Sequence, residues 1–195
     1  MPAPLKFDAA THTFWRDGVR ILSVTQVLRR CGLVSPWWTE EARNRGTRVH
    51  QALLRLQQTS DAEARTLLRD GDDPFYGAGA HALDVFGIGV LAAEEVVDGG
   101  TYAGWLDLRC TLRGFREPFV IDFKSGRASA WTPLQLAAYA APQPDYHRRA
   151  FIELQTNGKP KLTTCHETRG DLRNWHACCT VAQLQVALEI DIDDH

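Results

Sequence analysis

Two stretches of the chain decide the fold: YAGWLDLRCTL at residues 102–112 and PFVIDFKSG at residues 118–126. Both are rich in aromatic and β-branched residues, which predicts two strands joined by a tight turn. In such a hairpin Asp107 lies directly opposite Asp122, with Cβ atoms ~4.5–5.5 Å apart. Because side chains alternate along a strand, Lys124 lies on the same face as Asp122. The pattern predicts that two carboxylates and one ammonium group converge.

This convergence indicates a site rather than a surface feature. Two facing carboxylates repel each other and are tolerated mainly where a cation lies between them. Carboxylate oxygens suit Mg²⁺ or Mn²⁺, and a neighbouring ammonium group can orient water or stabilise charge on phosphorus. The alternative is an exposed hairpin with a surface Asp–Lys pair. That alternative does not explain why charges interrupt the apolar run FVI at residues 119–121.

The flanking segments predict an α/β fold with a mixed sheet, in one domain over residues 1–195. Residues 7–22 contain Asp17-Gly18, a strong hairpin signal, and Ser23 is suited to cap a helix. Gly46 inside a predicted helix costs ~1 kcal/mol relative to Ala, which predicts a close backbone approach there. The other predicted elements are strands at residues 89–97, 150–155 and 160–165, and helices at residues 39–58, 60–68, 75–86, 132–141 and 171–188.

Composition narrows the class of protein. The chain has 195 residues, 44% hydrophobic and 24% charged, with a net charge of −2. These values fit a globular domain and exclude a coiled coil, a collagen or a disordered polymer. No apolar run reaches the ~18 residues of a membrane span, and the N-terminus lacks a signal-peptide pattern, so we expect a cytoplasmic protein. Most basic residues are Arg, which suits phosphate contacts but equally follows from a GC-rich genome.

The motifs resemble, in order, those of the PD-(D/E)XK nucleases, and more narrowly the RecB-like exonuclease branch that includes mitochondrial genome-maintenance and phage exonucleases. The resemblance covers about residues 20–140, with the motif-free hairpin and helix at 150–190 beyond it. It rests on SVTQVL at 23–28, GTRVH at 46–50, YAGWLD at 102–107, VIDFKS at 120–125 and QLAAY at 135–139.

The resemblance implies a restriction-endonuclease-like core, a central mixed β-sheet flanked by helices. It also implies a metal-dependent exonuclease that hydrolyses single-stranded or free-ended DNA to 5′-phosphate and 3′-hydroxyl products, in a bacterial or phage setting. The implied catalytic residues are Glu94, Asp107, Asp122 and Lys124. The implied ligands of Mg²⁺ or Mn²⁺ are His50, Glu94, Asp107, Asp122 and the carbonyl of Phe123.

Several of these assignments have plainer alternatives. His50 lies on an amphipathic helix, where a lone histidine is usually structural. Glu94 and Glu95 are adjacent in a strand, so only one can reach the site; the pattern favours Glu94, and the alternative is that both are solvated.

The predicted DNA-binding residues are Arg43, Arg45 and Arg48 along the DNA backbone, Ser125 at a phosphate, and the helical pair Gln135 and Tyr139, which would also support the site. Trp37, Trp38 and Trp131 either stack on bases or pack in the core.

The five cysteines are odd in number and include no CxxC motif. Cys31 precedes His50, and Cys165, Cys178 and Cys179 follow Tyr139, a distribution similar to that of the iron–sulfur members of the family, but the trailing set lacks closely spaced ligands. We expect buried thiols in a reducing compartment.

Two rival functions stay open: an endonuclease or nuclease subunit of a larger recombination complex, and a non-catalytic nucleic-acid-binding module. The intact set of Asp107, Asp122 and Lys124 argues against the binding module.

Overall fold

The structure is a computed structural model that describes residues 3–34, 40–166 and 169–190. The described strands are β1 (Lys6–Asp8), β2 (Thr13–Arg16), β3 (Val19–Ser23), β4 (Gly89–Asp98), β5 (Tyr102–Thr111), β6 (Phe119–Ser125), β7 (Arg148–Leu154) and β8 (Pro160–Cys165). The described helices are α1 (Val24–Arg30), α2 (Glu40–Gln58), α3 (Asp61–Arg65), α4 (Asp73–Val85), α5 (Thr132–Ala140) and α6 (Arg169–Ala187). In these parts of the chain, every helix is too short or too polar to cross a membrane.

The strands form one mixed sheet. Its main order is β1-β2-β3-β5-β6-β7-β8, and β4 pairs with β5 beside this path. The β3–β5 and β6–β7 pairs are parallel, and the other neighbours are antiparallel. Helix α5 joins the parallel strands β6 and β7, as a crossover between parallel strands requires. The predicted α/β fold with a mixed sheet is confirmed.

Local signals at the N-terminus are also confirmed. Asp17 and Gly18 have φ values of 51° and 75°, the two positive values that a tight two-residue hairpin turn needs between β2 and β3. Ser23 caps α1, because its Oγ accepts from the N–H of Gln26 at 3.2 Å while Gln26 Oε1 accepts from the N–H of Ser23 at 2.9 Å. The structure contains β1 as a strand separate from β2, and the sequence did not predict this separation.

Helices cover both faces of the sheet. Helices α2, α3 and α4 pack on one face, against a core that includes Phe119, Ile121 and Phe123. Helices α1, α5 and α6 pack on the other face, against a core that includes Leu106 and Val120. This division confirms the predicted alternation along β6.

The site is positioned by a divergence of strands. Strand β4 occupies one edge of β5, so β3 and β6 share the opposite edge. The β5–β6 ladder runs from the Cys110–Phe119 pair to the Leu108–Ile121 pair, in the register predicted from the sequence, and ends there. From that point β6 continues beside β7. We call this divergence, immediately before Asp107 and Asp122, the strand fork.

Candidate functional site

The first feature of the strand fork is a hydrogen bond from the backbone of β6 to the side chain of Asp107, just beyond the end of the β5–β6 ladder. The N–H of Phe123 donates a hydrogen bond to Oδ2 of Asp107 at 3.0 Å. This bond satisfies a backbone donor that would otherwise be unpaired where the two strands separate. Asp107 is thereby fixed beside β6, next to the position that Asp122 occupies.

The second feature is a buried ion pair. The Nζ atom of Lys124 lies 2.7 Å from Oδ2 of Asp122, and the two side chains are only 13% and 4% exposed. Lys124 Nζ also donates to Oε1 of Gln135 at 2.9 Å, and Gln135 Nε2 donates to the hydroxyl of Tyr139 at 3.3 Å. The ammonium group is therefore held between β6 and α5, with the indole ring of Trp131 5.3 Å away.

Helix α2 brings His50 to the same point from the other face. His50 Nδ1 lies 3.3 Å from Oδ2 of Asp107, and Nε2 lies 2.9 Å from the carbonyl oxygen of Phe123. Burial disfavours the charged imidazole, but the carboxylates of Asp107 and Asp122 outweigh it and raise the pKa of His50. A protonated ring can donate to both acceptors. In this arrangement His50 serves as a hydrogen-bond donor, and it must lose its proton before it can bind a metal.

The two carboxylates have different electrostatic environments. Burial and the nearby charge of Asp107 raise the pKa of Asp122 to about 6, against the opposing effect of Lys124. Burial acts on Asp107 too, but His50, Lys124 and the N–H of Phe123 lower its pKa below the usual range. Paired acidic groups whose pKa values are pushed apart are typical of sites that perform acid–base or metal chemistry.

The side chains of Glu94 and Glu95 have different neighbours. Glu94 has a φ of 47°, an uncommon conformation for a residue with a side chain, and lies between the Ala93–Leu108 and Glu95–Leu106 pairs. With His50 and Asp107 it lines a cavity of about 20 Å³, large enough for one water molecule or ion. Glu95 instead accepts from Arg109, with Nε and Oε2 3.1 Å apart.

The donors present suit a hard divalent cation, although they are not assembled around one. Within the described residues, no three His, Cys, Asp or Glu side chains form a metal-binding group. Oδ2 of Asp122 is nevertheless buried and accepts no well-aligned hydrogen bond, despite the nearby ammonium of Lys124. Such an oxygen is a natural ligand for Mg²⁺ or Mn²⁺. The residues fit the metal chemically, and binding requires the contacts of His50 and Lys124 to rearrange.

The structure separates the three arginines predicted to contact DNA. Arg43 is exposed and lies two helical turns before His50, on the same face of α2. Arg45 lies over the ring of Phe75 and donates to the carbonyl of Ser125 at 3.4 Å, beside the end of β6. Arg48 points elsewhere: its guanidinium donates to Asp72 at 2.7 and 3.1 Å and to Glu41 at 2.8 Å.

The remaining predicted residues also differ in their surroundings. Ser125 is half-buried at the end of β6. Gln135 and Tyr139 are 7% and 5% exposed, so they lie beneath Lys124 rather than on an open surface. Trp131 is buried in the core, as its plainer alternative held, while Trp37 and Trp38 lie outside the described residues.

Two kinds of residue at or near the site were not predicted from the sequence. Asp72, in a segment predicted only as a loop, is the buried partner of Arg48. Trp15 and Trp105 line a groove of about 1040 Å³ that reaches Tyr139. Both tryptophans lie within segments that the sequence predicts as strands, but strand alternation alone does not tell which face of the sheet stays exposed.

All five cysteines are free thiols; Cys110 and Cys179 are buried, and Cys31, Cys165 and Cys178 are half-buried. Cys31 Sγ donates to the carbonyl of Cys178 at 3.5 Å, so α1 and α6 bring these two residues together. Burial raises the pKa of Cys31, Cys110 and Cys179 to about 12 and that of Cys165 to about 11. These shifts disfavour the thiolate form that binds metals and reacts with oxidants.

Comparison with known proteins adds no family assignment. The chain matches no family model, and no curated protein is significantly similar to it. The fold and the site define an α/β protein in which a mixed sheet, covered by helices on both faces, carries a buried carboxylate–lysine cluster at a strand fork.

Proposed function

We propose that the protein is a metal-dependent deoxyribonuclease of the PD-(D/E)XK superfamily, with a restriction-endonuclease-like core, that acts as an exonuclease on single-stranded or free-ended DNA. The observation that carries the proposal is the strand fork. It holds a buried Asp122–Lys124 pair at 2.7 Å, and the second carboxylate, Asp107, is fixed beside it by the N–H of Phe123.

A purely structural role explains this arrangement poorly. A buried ion pair contributes little net stability, because removing both charges from water costs about as much as their attraction returns. Here a third charged group, Asp107, adds repulsion that raises the pKa of Asp122. Perturbed and strained groups that gather at one point, including Glu94 in its left-handed conformation, support a chemical role.

The residues of the fork have distinct roles in the proposed reaction. Lys124 orients a water molecule for in-line attack and stabilises the negative charge that develops on the phosphorane oxygens. The water oxygen forms a bond to phosphorus and releases one proton to solvent, while the bond from phosphorus to the 3′ oxygen breaks and the 3′ oxygen takes up one proton from solvent. The products are a 5′-phosphate and a 3′-hydroxyl.

Other residues act by positioning these groups. Gln135 and Tyr139 fix the ammonium of Lys124 through their hydrogen-bond chain. Glu94, Asp107, Asp122, the carbonyl of Phe123 and a deprotonated His50 would hold one or two Mg²⁺ or Mn²⁺ ions, which when bound acidify water and neutralise the phosphate. Arg45 contacts the carbonyl of Ser125 at the end of β6, and Arg43 shares a face of α2 with His50, so both would contact the DNA backbone.

The test is cleavage of end-labelled DNA. Single-stranded, duplex and closed circular DNA, labelled at the 5′ or the 3′ end where ends exist, are incubated with Mg²⁺ or Mn²⁺ and in parallel with EDTA. We expect metal-dependent release of short products from linear single strands and none from circles. Cleavage of circles would make the protein an endonuclease, and binding without cleavage of any substrate would make it a binding module.

A further inference from the structure

A groove outside the strand fork has the composition of a binding surface for unpaired DNA. It is about 1040 Å³ in volume and lies between the N-terminal strands and helices α1 and α2. Two tryptophans line it, Trp15 on β2 and Trp105 on β5, which are 38% and 41% exposed. Tryptophan is among the most buried residues on average, so two accessible indoles in one groove indicate a ligand that covers them.

Both indoles are held in place by their surroundings. Trp15 Nε1 donates to Thr13 Oγ1 at 2.8 Å, which satisfies the ring's polar atom within its own strand. Trp105 packs edge-to-face against Phe7 with ring centroids 5.3 Å apart, and Phe7 in turn contacts Phe14 at 4.9 Å. Fixed aromatic rings bind a planar partner with less loss of conformational freedom than mobile ones.

The charges of the groove favour a phosphate backbone. Arg20, Arg29 and Arg43 line it, with Asp8 as the acidic residue among its described lining. The carboxylate of Asp8 is occupied locally by the N–H of Ala10 and the hydroxyl of Thr11. The groove is thus locally positive although the whole chain carries −2. Arg20 also lies directly opposite Trp15 in the β2–β3 pair, so a cation and an aromatic ring are neighbours on one face.

The groove leads to the strand fork by two routes. Tyr139 forms part of its floor and is joined through Gln135 to Lys124. Gly104 makes this floor possible, because a Cβ there would lie 2.8 Å from Cε1 of Tyr139. On the opposite wall, Arg43 shares a face of α2 with His50.

From this juxtaposition we infer that the groove binds a single-stranded segment of the DNA substrate, with bases stacked on Trp15 and Trp105 and phosphates on Arg20, Arg29 and Arg43. The inference rests on the proposed function and deepens it, because it selects unpaired DNA as the form that reaches the fork. Bases in a duplex are already stacked on one another and have no open face for the indoles, whereas unpaired bases stack readily on aromatic side chains.

The test measures binding apart from cleavage. Fluorescence anisotropy in EDTA follows a labelled oligothymidylate of about 20 nucleotides, longer than the footprint of a typical single-strand site. We expect Trp15→Ala and Trp105→Ala each to weaken binding about 5- to 150-fold, and Trp15→Phe and Trp105→Phe to retain most of it. Arg43→Ser should weaken binding and reduce the slope of log affinity against log salt by about 0.7, the single-strand value for one phosphate contact.

Matched controls separate the groove from general effects. Tyr146→Ala removes an aromatic side chain that is 52% exposed at a different cavity, and Arg55→Ser removes an exposed arginine from the same helix as Arg43. Both controls should bind like wild type. Thermal unfolding checks that each variant is folded, and the Phe variants test stacking even if an Ala variant is not.

The outcomes distinguish this inference from the proposed function. The groove assignment is overturned if the tryptophan variants bind as tightly as wild type, if the Phe variants lose as much affinity as the Ala variants, or if the controls lose as much. Tight binding in the groove by a wild-type protein that cleaves nothing with Mg²⁺ or Mn²⁺ would contradict the proposed function alone. Cleavage by wild type with unaffected binding by the tryptophan variants would contradict the groove alone.

Discussion

The ammonium of Lys124 and the carboxylate of Asp122 are two residues apart on one face of β6, and they form a buried contact of 2.7 Å at the point where β6 leaves β5. Helix α2 brings His50 to Asp107 from one face of the sheet, and helix α5 brings Gln135 to Lys124 from the other. The end of the ladder is therefore the point at which residues from two strands and two helices meet.

Lys124→Ala should abolish turnover and spare DNA binding. Removing one preorganised electrostatic contact typically costs ~10²–10³ in rate. Lys124→Arg should not restore the rate, because the planar guanidinium group of arginine cannot occupy the position of a compact ammonium group between Asp122 and Gln135. Single-turnover cleavage at saturating protein gives the rate, and a binding isotherm in Ca²⁺ gives the affinity.

The alanine variant also leaves the Asp122 carboxylate buried without its partner, which destabilises the fold. Thermal unfolding therefore accompanies the kinetics, and the arginine variant, which keeps the charge, serves as the folded comparison. If Lys124→Ala loses binding but cleaves normally once saturated, Lys124 is a phosphate anchor rather than a catalytic residue.

Asp72 and Arg48 should contribute to stability rather than to DNA binding. Asp72 is 1% exposed and accepts from Arg48 and from the N–H of Arg69. Burial would raise the pKa of Asp72, but these hydrogen bonds lower it below the usual value. We expect Asp72→Asn to reduce the free energy of unfolding by about 3 kcal/mol near neutral pH. Arg48→Ala should also destabilise the fold, because it leaves the buried carboxylate of Asp72 without its partner, and should keep wild-type affinity for DNA.

The pH dependence of this effect has a definite sign. A lowered pKa means that the folded state favours the ionised carboxylate, so its contribution is present above about pH 4 and is lost as pH falls through the folded-state pKa. Urea unfolding should therefore show that the difference between wild type and Asp72→Asn is largest near neutrality and shrinks in acid. An equal difference at both extremes would mean that the ion pair is not its source.

Gly46→Ala should stabilise the protein. The sequence predicted a close backbone approach at this glycine, but an added Cβ would lie 3.5 Å from Oγ of Ser125, an ordinary contact. Alanine is favoured over glycine inside a helix by ~1 kcal/mol, which corresponds to a rise of about 2–4 °C in Tm for a chain of this size. The matched control is Gly79→Ala in α4, whose Cβ would lie 2.5 Å from Cδ1 of Leu53. The Gly79→Ala variant should lose stability. If Gly46→Ala also loses stability, the backbone does approach closely at Gly46, as the sequence predicted.

Much of the fold was predictable because it depends on local signals. The Asp17-Gly18 turn, the Ser23 cap, the alternation along β6 and the β5–β6 register follow from the periodicity and turn chemistry of short segments. The end of the ladder did not follow, because it is set by β3 and β6 competing for one edge of β5. Pairing between distant segments is a tertiary property that a hairpin pattern does not contain.

At the site too, contacts that follow from local periodicity were predictable, and contacts between distant segments were not. The proximity of Lys124 and Asp122 followed from strand periodicity, whereas the partner of Arg48 did not, because Asp72 is 24 residues away in an irregular segment. The helical periodicity of α2 could have separated the arginines in advance, since residue 43 shares a face with residue 50 and residue 48 does not. Burial of Trp131 and exposure of Trp105 depend on which distant elements cover each side chain, and composition does not contain that information.

The Asp122→Asn variant decides whether the carboxylates of the strand fork support metal-dependent cleavage. Its matched control is Asp72→Asn, the same chemical change at another buried carboxylate paired with a cation. The measurement is the single-turnover rate of cleavage of end-labelled single-stranded DNA in Mg²⁺ and Mn²⁺, with folding checked by thermal unfolding. We expect Asp122→Asn to fold and to lose most cleavage, and Asp72→Asn to cleave like wild type while being less stable. Near-normal cleavage by a folded Asp122→Asn variant would show that the strand fork is not the site of cleavage.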